Sequence, residues 1–352
     1  MTAALAKELY RQAEQCRGRS ELYTALLGAM AADAEQGGVT ANLLAPYADE
    51  PRVTVPGLRL LGAVHRLVLE GRVPRLAAYY PTAGGAEPPE HAWPLFRAVL
   101  VEHADELRPL IAAPLQTNEA GRAAVLFGGA LVVATATGLP IRLLEIGASA
   151  GLNLRADQFG YRVGGRILGD PVSPLILDEP WVGLPPGADP GMPLRVVERR
   201  GCDPVPIDVA SEDGVVRLAS VIWADPVRLA RLRAAIAVAE AVPATVDAAF
   251  ADDWLDQQLA VPVPGAATVV WHSAVRQYVE PSRWRRVEEV LARAGEFATA
   301  DAPVAHLAFE PEFRADGTAE FSLHLTLWPG GITETLATAS GHGPPVMWRM
   351  DP

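Results

Sequence analysis

The sequence predicts an α/β protein: a doubly wound, mostly parallel sheet with an antiparallel C-terminal edge, preceded by a helical N-terminal region. Three observations predict it. Before Ile141 apolar residues recur at helical spacing and no alternating strand pattern appears. From Pro140 onward short apolar runs alternate with amphipathic helical stretches, as in parallel strands joined by helices. Near the end, Phe321–Trp328 (FSLHLTLW) alternates cleanly, which suits an antiparallel strand with one solvated face.

The elements follow in order. Ala3–Arg17 and Ser20–Gln36 space Leu, Tyr and Ala helically, with Ser20 as a candidate N-cap and Gly37-Gly38 as a stop. Pro56–Gly71 sets Leu60, Val64, Leu67 and Val68 on one stripe, and His91–Arg108 reads as a further helix. Residues 1–112 are therefore read as a helical lid over the substrate, and 113–352 as the α/β domain. Ala123–Ile141 carries no charge for 19 residues. A membrane span needs about 20, and Gly138-Leu-Pro140 stops this helix near Thr137, so a buried core helix is expected. Pro140–Ile146 reads as a buried parallel strand, followed by the turn GASAG and a helix over Leu152–Phe159. Tyr161–Pro193, rich in Gly and Pro with hairpin signals at Gly164-Gly165 and around Trp181, is an inserted arm that either closes the site or makes a homodimer contact. Strands are expected at Leu194–Glu198, Thr245–Phe250, Ala267–His272 and Val304–Glu310, and helices at Pro226–Ala239 and Pro281–Ala294. Val346–Trp348 is expected to pair at the edge, and Pro185–Pro193 and Pro262–Gly265 resemble linkers.

Composition excludes several functions. Thirty basic and 42 acidic residues leave a net charge of −12. Sequence-independent nucleic-acid binding needs many cations on phosphates, so no nucleic acid and no membrane is expected as partner; a small-molecule substrate is. Cys16 and Cys202 are too few for a disulfide framework or a Cys-rich metal site, which fits a reducing, cytoplasmic setting. The N-terminus has charges at 7, 8, 11 and 14 and no apolar core of a secretory signal. No H-x-x-x-H, H-E-x-x-H or C-x-x-C spacing occurs, so no metal is expected.

The most informative segment is Leu143–Leu154 (LLEIGASAGLNL), a strand, a glycine turn and a helix start. A ligand lies against main chain only where Cβ atoms are absent, and a helix N-terminus offers N–H groups. Glu145, Gly147 and Gly151 resemble the E-x-G-x-x-x-G of class I S-adenosylmethionine (SAM) methyltransferases. The resemblance implies SAM as cofactor, Glu145 on its ammonium, and Gly147, Ser149, Gly151 and Asn153 around it. Ser149 stands where the middle glycine is usual. The same turn also spells G-x-S-x-G, a nucleophile elbow, with Asp252 or Asp253 and then His272 following in the Ser-Asp-His order of α/β-hydrolases. Helices rather than strands precede it, and no HGGG loop is present.

In methyltransferase-like folds the next strand ends carry an acid for the ribose, here Glu198, and acids for the adenine amine, here Asp252 and Asp253. Trp271-His272-Ser273 ends the fourth strand, where substrate-facing residues lie. His272 is either a general base or a satisfied core polar group. Tyr278 and Arg276 either flank it or begin the next helix. Gln116, Asn118, Glu119 and Arg122 either cap the helix before the first strand or border the cofactor mouth. Almost the whole chain also resembles the bacterial domain-of-unknown-function family numbered 2332. That likeness rests on Gln116–Glu119 with Arg122, LLEIGASAGLNL with Asp157, ERRGCDPVPIDV (198–209), Trp223, VVWHSAVRQYV (269–279), LTLWPGG (325–331) and HGPPVMW (342–348). It implies a Rossmann-type methyltransferase fold. The expected function is SAM-dependent methyl transfer to a small molecule, with His272 and Tyr278 as catalytic candidates. The alternatives are a serine hydrolase using Ser149 and a non-catalytic ligand-binding protein on the same fold.

Overall fold

The computed structural model describes residues 2–51, 54–189, 193–313 and 319–349; residues 190–192 of the expected Pro185–Pro193 linker lie outside them. The chain forms two compact units, Met1–Thr117 with Ala210–Ala230, and Asn118–Val209 with Arg231–Pro352.

The first unit is helical. Its helices are α1 (Thr2–Cys16), α2 (Glu21–Glu35), α3 (Val39–Leu44), α4 (Pro56–Leu69), α5 (Pro74–Ala77), α6 (Trp93–Glu102) and α7 (Ala104–Ala112). Ser20 caps α2 as expected, its hydroxyl accepting from Tyr23 N–H at 3.3 Å. The single helix expected over His91–Arg108 is broken at His103 into α6 and α7. A further helix, α9 (Glu212–Ser220), belongs to this unit and supplies the Ser220 carbonyl, 3.0 Å from buried His65 Nδ1. A carbonyl only accepts, so Nδ1 carries the proton and Nε2 accepts from the Thr82 hydroxyl at 2.7 Å.

Burial, against the Ser220 bond, pushes the His65 pKa down to about 4. The unfolded chain takes up that proton near pH 6.5 and the folded one does not, so stability falls as pH drops through this window, by up to about 3 kcal/mol. His65→Gln is expected to flatten the acid limb between pH 6.5 and 4, as read from urea midpoints.

The second unit is built on a nine-stranded sheet. Its strands are β1 (Ile141–Ile146), β5 (Trp181–Val182), β6 (Val196–Asp203), β7 (Thr245–Ala248), β8 (Ala267–Ser273), β9 (Val304–Phe313), β10 (Ala319–Trp328), β11 (Ile332–Ser340) and β12 (Gly343–Trp348). They lie in the order β5-β12-β11-β10-β9-β8-β1-β6-β7. From β9 to β7 every neighbour is parallel, and β9 to β12 is antiparallel. The fold is thus α/β, with a large, mostly parallel sheet and antiparallel edge strands.

Helix α8 (Ala123–Thr137) is the uncharged segment before β1. By length and composition Ala120–Thr137 would cross a membrane, yet it is 67% buried inside the fold. Gly138 in the left-handed region ends it at Thr137, as the sequence implies. It packs on one side of the sheet, against β8 to β12. On the other side α11 (Ala251–Gln258) and α12 (Pro281–Glu296) bring Trp254, Leu255, Trp284, Val287 and Leu291 onto Leu144, Ile146, Cys202 and Val270. Helix α10 (Pro226–Ala241) precedes β7.

The arm makes a small second sheet of β2 (Gly160–Val163), β3 (Arg166–Gly169) and β4 (Ile176–Asp178). Gly164 and Gly165 turn the hairpin at φ 55° and 81°. Trp181 is not part of a hairpin; it sits in β5, at the edge of the main sheet. Phe127 of α8, Tyr161 and Trp181 stack in parallel, the Trp181 indole donates to the Ala124 carbonyl at 3.0 Å, and the Tyr161 hydroxyl, which donates to the Ala156 carbonyl at 2.7 Å, lies 3.3 Å from the Ala123 carbonyl. This part of the arm is therefore fastened to α8.

Candidate functional site

β1 carries Glu145 at its carboxyl end and opens into the turn Gly147–Gly151. Gly147, Ser149 and Gly151 all have positive φ, 66°, 55° and 69°. A left-handed serine costs about 1–2 kcal/mol, so this turn is held by its surroundings. The Ala148 N–H donates to Cys202 carbonyl at 2.9 Å, the Ser149 N–H to Asp203 Oδ2 at 3.0 Å, and the Leu152 N–H to Asn118 Oδ1 at 2.9 Å. A Cβ built on Gly147 would fall 2.4 Å from Val275 Cγ2. The main chain here is not bare: Val275 lies on Gly147, and these amides are used by the protein.

The expected helix over Leu152–Phe159 is instead a 3-10 segment, Leu152–Gln158, with a kink at Arg155. The cause is local. Arg155 Nη1 donates to the Gly151 carbonyl at 2.6 Å, the acceptor that the first α-helical bond would need, and Leu154 N–H takes the same oxygen in a tighter turn. No helix N-terminus faces a ligand at this place.

Three side-chain atoms in this short stretch remain unsatisfied. Among the described residues, Glu145 Oε2, Ser149 Oγ and Asn153 Oδ1 are buried and have no hydrogen-bond partner. Glu145 is 2% exposed, and its other oxygen accepts from Trp271 Nε1 at 3.0 Å. Burial pushes the Glu145 carboxyl up to about 8, against the Trp271 bond and the charges of Arg155 and Arg122. Native proteins leave few buried polar atoms unpaired, and each asks for an explanation.

The mouth residues gather here in part. Asn118 caps Leu152, and Asn153 Nδ2 donates to the Glu119 carbonyl at 3.4 Å. The Glu119 carboxylate lies 3.6 Å from Arg231 and 3.5 Å from His342 Nδ1. Arg122 donates to the Gly341 carbonyl at 2.8 Å and the Ser273 carbonyl at 3.2 Å, tying the end of β8. Gln116 belongs to the first unit, where its amide oxygen accepts from Arg217 at 2.9 Å.

Other expected residues are placed elsewhere. β6 does not stop at Glu198, the end of the expected strand; it runs to Asp203, because Arg199 and Arg200 are neutralised by Asp157 at 2.6 Å and Asp247 at 2.7 Å. Glu198 instead pairs with Arg142 at 2.8 Å, near the start of β1. Asp203 holds the strand-end position and clamps the glycine turn. Asp252 and Asp253 lie in the first turn of α11 and pair with Arg283 and Arg286 of α12, which fixes the two helices together.

His272 is 1% exposed. Glu145 pairs in register with Trp271, so the next residue, His272, points to the opposite face of the sheet. Its Nδ1 is 2.6 Å from Glu310 Oε1 and its Nε2 is 2.9 Å from His306 Nε2. Burial and the neighbouring His272 push His306 down to about 3, so His306 is neutral. With both nitrogens engaged, His272 is a structural link and not an open base. Tyr278 is half exposed in the turn Arg276–Tyr278. The hydrolase relay is not assembled: Ser149 Oγ bonds no imidazole, His272 faces Glu310 and His306, and Asp252 faces arginines.

Sequence reading missed Glu310 and His306. Glu310 Oε1 accepts from His272 and from the N–H groups of Val275 (2.8 Å) and Arg276 (3.3 Å), so it anchors the turn that covers Gly147. Residues 304–310 alternate between a buried apolar face and this polar one; that alternation is the signal that was available.

The model of a family described as an uncharacterized protein conserved in bacteria (DUF2332) matches residues 6–348. The chain belongs to this family. No curated protein and no solved structure matches it.

Proposed function

We propose that this DUF2332 protein binds SAM at the carboxyl end of β1 and transfers its methyl group to a small molecule. The observation that carries the reading is the trio of unsatisfied buried atoms on Glu145, Ser149 and Asn153. A ligand with an ammonium and hydroxyl or carboxyl groups supplies the partners they lack. Topology supports the place. The parallel strands run β7-β6-β1-β8-β9, so the order reverses beside β1. Ligands of open α/β sheets bind outside the carboxyl ends at such a reversal. A doubly wound, Rossmann-type frame is the finer reading of this sheet, and its strand order is the reason.

The residues fit the cationic end of the cofactor. Glu145 gains its charge as an ammonium arrives, with Trp271 holding its orientation. Asp203, not Glu198, is the acid at the end of β6. The glycine face fits only after Val275 moves aside. SAM supplies an activated methyl group; the protein's share is alignment and exclusion of water. A cytoplasmic setting accompanies this reading.

One observation favours a second reading, ligand binding without turnover: Val275 and the engaged amides already fill the turn. Titration calorimetry separates these. SAM and its demethylated product are both expected to bind, and Asn153→Ala is expected to weaken both about tenfold, the loss of one good hydrogen bond. Methyl transfer to any of a panel of small nucleophiles favours the first reading, and binding without transfer the second. Failure of both ligands to bind overturns both.

A further inference from the structure

The first unit contains a cleft of about 80 Å³ bounded by α4, α9 and residues 113–116. Arg59 and Arg66 come from one stripe of α4, seven residues apart, and Arg217 and Ser220 from α9. Three guanidiniums line one small space in a chain with net charge −12, and among the described residues no acid lines it. The carboxylates that accompany two of them are not among the lining residues: Glu50 on Arg59, and Glu70 with Asp213 on Arg66. Among the described residues the Arg217 guanidinium donates to a neutral amide, Gln116 Oε1, at 2.9 Å.

Arg59 and Arg66 already carry carboxylates outside the cleft, so Arg217, set against a neutral amide, is the cation whose charge an anion in the cleft completes. A guanidinium presents five N–H donors in a fixed fork that matches the oxygens of carboxylate or phosphate. Leu110, Leu115 and Val221 give the wall its larger apolar side chains and suit an apolar body behind the charged group.

We infer that this cleft is a binding site for a small oxyanion, the carboxylate or phosphate of a ligand whose head group fits between Arg59, Arg66 and Arg217. The inference does not rest on the reading of the glycine turn, and the test uses neither SAM nor any residue near it.

The test is calorimetry of the full chain with inorganic phosphate and, separately, acetate, against sodium chloride at equal ionic strength. Saturable binding of one or both is expected, and which one identifies the oxyanion class. Arg217→Gln is expected to weaken it at least tenfold, while Arg285→Gln on the exposed side of α12 leaves it unchanged. Gln116→Glu places a carboxylate against Arg217 and is expected to abolish binding while raising the melting temperature, so the answer does not depend on a variant that loses a charge. No saturable binding of either anion to the wild type overturns the inference. Binding that survives both Arg217→Gln and Gln116→Glu does so as well.

Discussion

Glu145→Gln is expected to fold more stably than the wild type at pH 8.5 and equally stably at pH 4. The sign follows from the buried carboxyl, pushed up to about 8 in the folded chain. Below the unfolded value near 4.5 the group is neutral in both states and costs nothing. As pH rises the unfolded chain ionises first, so the wild type loses stability through the window and levels off above pH 8. The loss amounts to up to about 5 kcal/mol. Glutamine is neutral throughout and its carbonyl still accepts from Trp271. Urea titrations of both proteins at half-unit pH steps measure the difference. A constant difference from pH 4 to 8.5 contradicts the account. A side chain kept at such a cost is the pattern expected of a binding group, where function and stability pull apart.

Glu310→Ala is expected to be the most damaging single change near the site, costing about 3–4 kcal/mol. One oxygen of Glu310 takes the His272 ring and two backbone N–H groups, and its side chain is 13% exposed. Removing one partner of a buried, charge-assisted set leaves the others unsatisfied. Burial raises the Glu310 carboxyl, but the His272 bond and charge and the two N–H donors outweigh it and hold it below the ordinary value. Its contribution is therefore present above pH 4.5 and lost as pH falls below it. The damage has a location. Hydrogen exchange of the Val275 and Arg276 amides is expected to speed up in Glu310→Ala, and Val275 is the residue that rests on Gly147. Unchanged exchange at those two amides would show that Glu310 does not hold the turn.

The sheet was legible where burial and periodicity agree. β1 is apolar on both faces apart from Arg142 and Glu145, and its sequence reads as a buried strand. α8 ends at Gly138, as Gly138-Leu-Pro140 announces. Legibility failed where partners far along the chain decide. The strand expected to end at Glu198 runs on through Arg199 and Arg200, whose neutralising acids, Asp157 and Asp247, lie elsewhere in sequence. β11 was not anticipated: ITETLATAS has few large apolar residues, and it becomes a strand by pairing with β10 and β12. At the site, Glu145 and the glycine turn were found from their local pattern. Asp203 precedes a proline, a pattern that an ordinary turn explains by itself, and the amide it clamps belongs to Ser149, far back in sequence. Glu310, 38 residues after the histidine it holds, carries no local motif. Which face of the sheet a strand residue takes also needs register, and this separates His272 from Glu145.

On the proposed function, the buried carboxyl of Glu145 receives the cationic end of SAM. A carboxyl pushed up to about 8 is mostly protonated at pH 7, so pairing with an ammonium must expel its proton. SAM binding measured at pH 7 in two buffers of different ionisation enthalpy is expected to release close to one proton in the wild type and none in Glu145→Gln. Binding with equal proton release in both proteins, or no binding by the wild type, contradicts the claim.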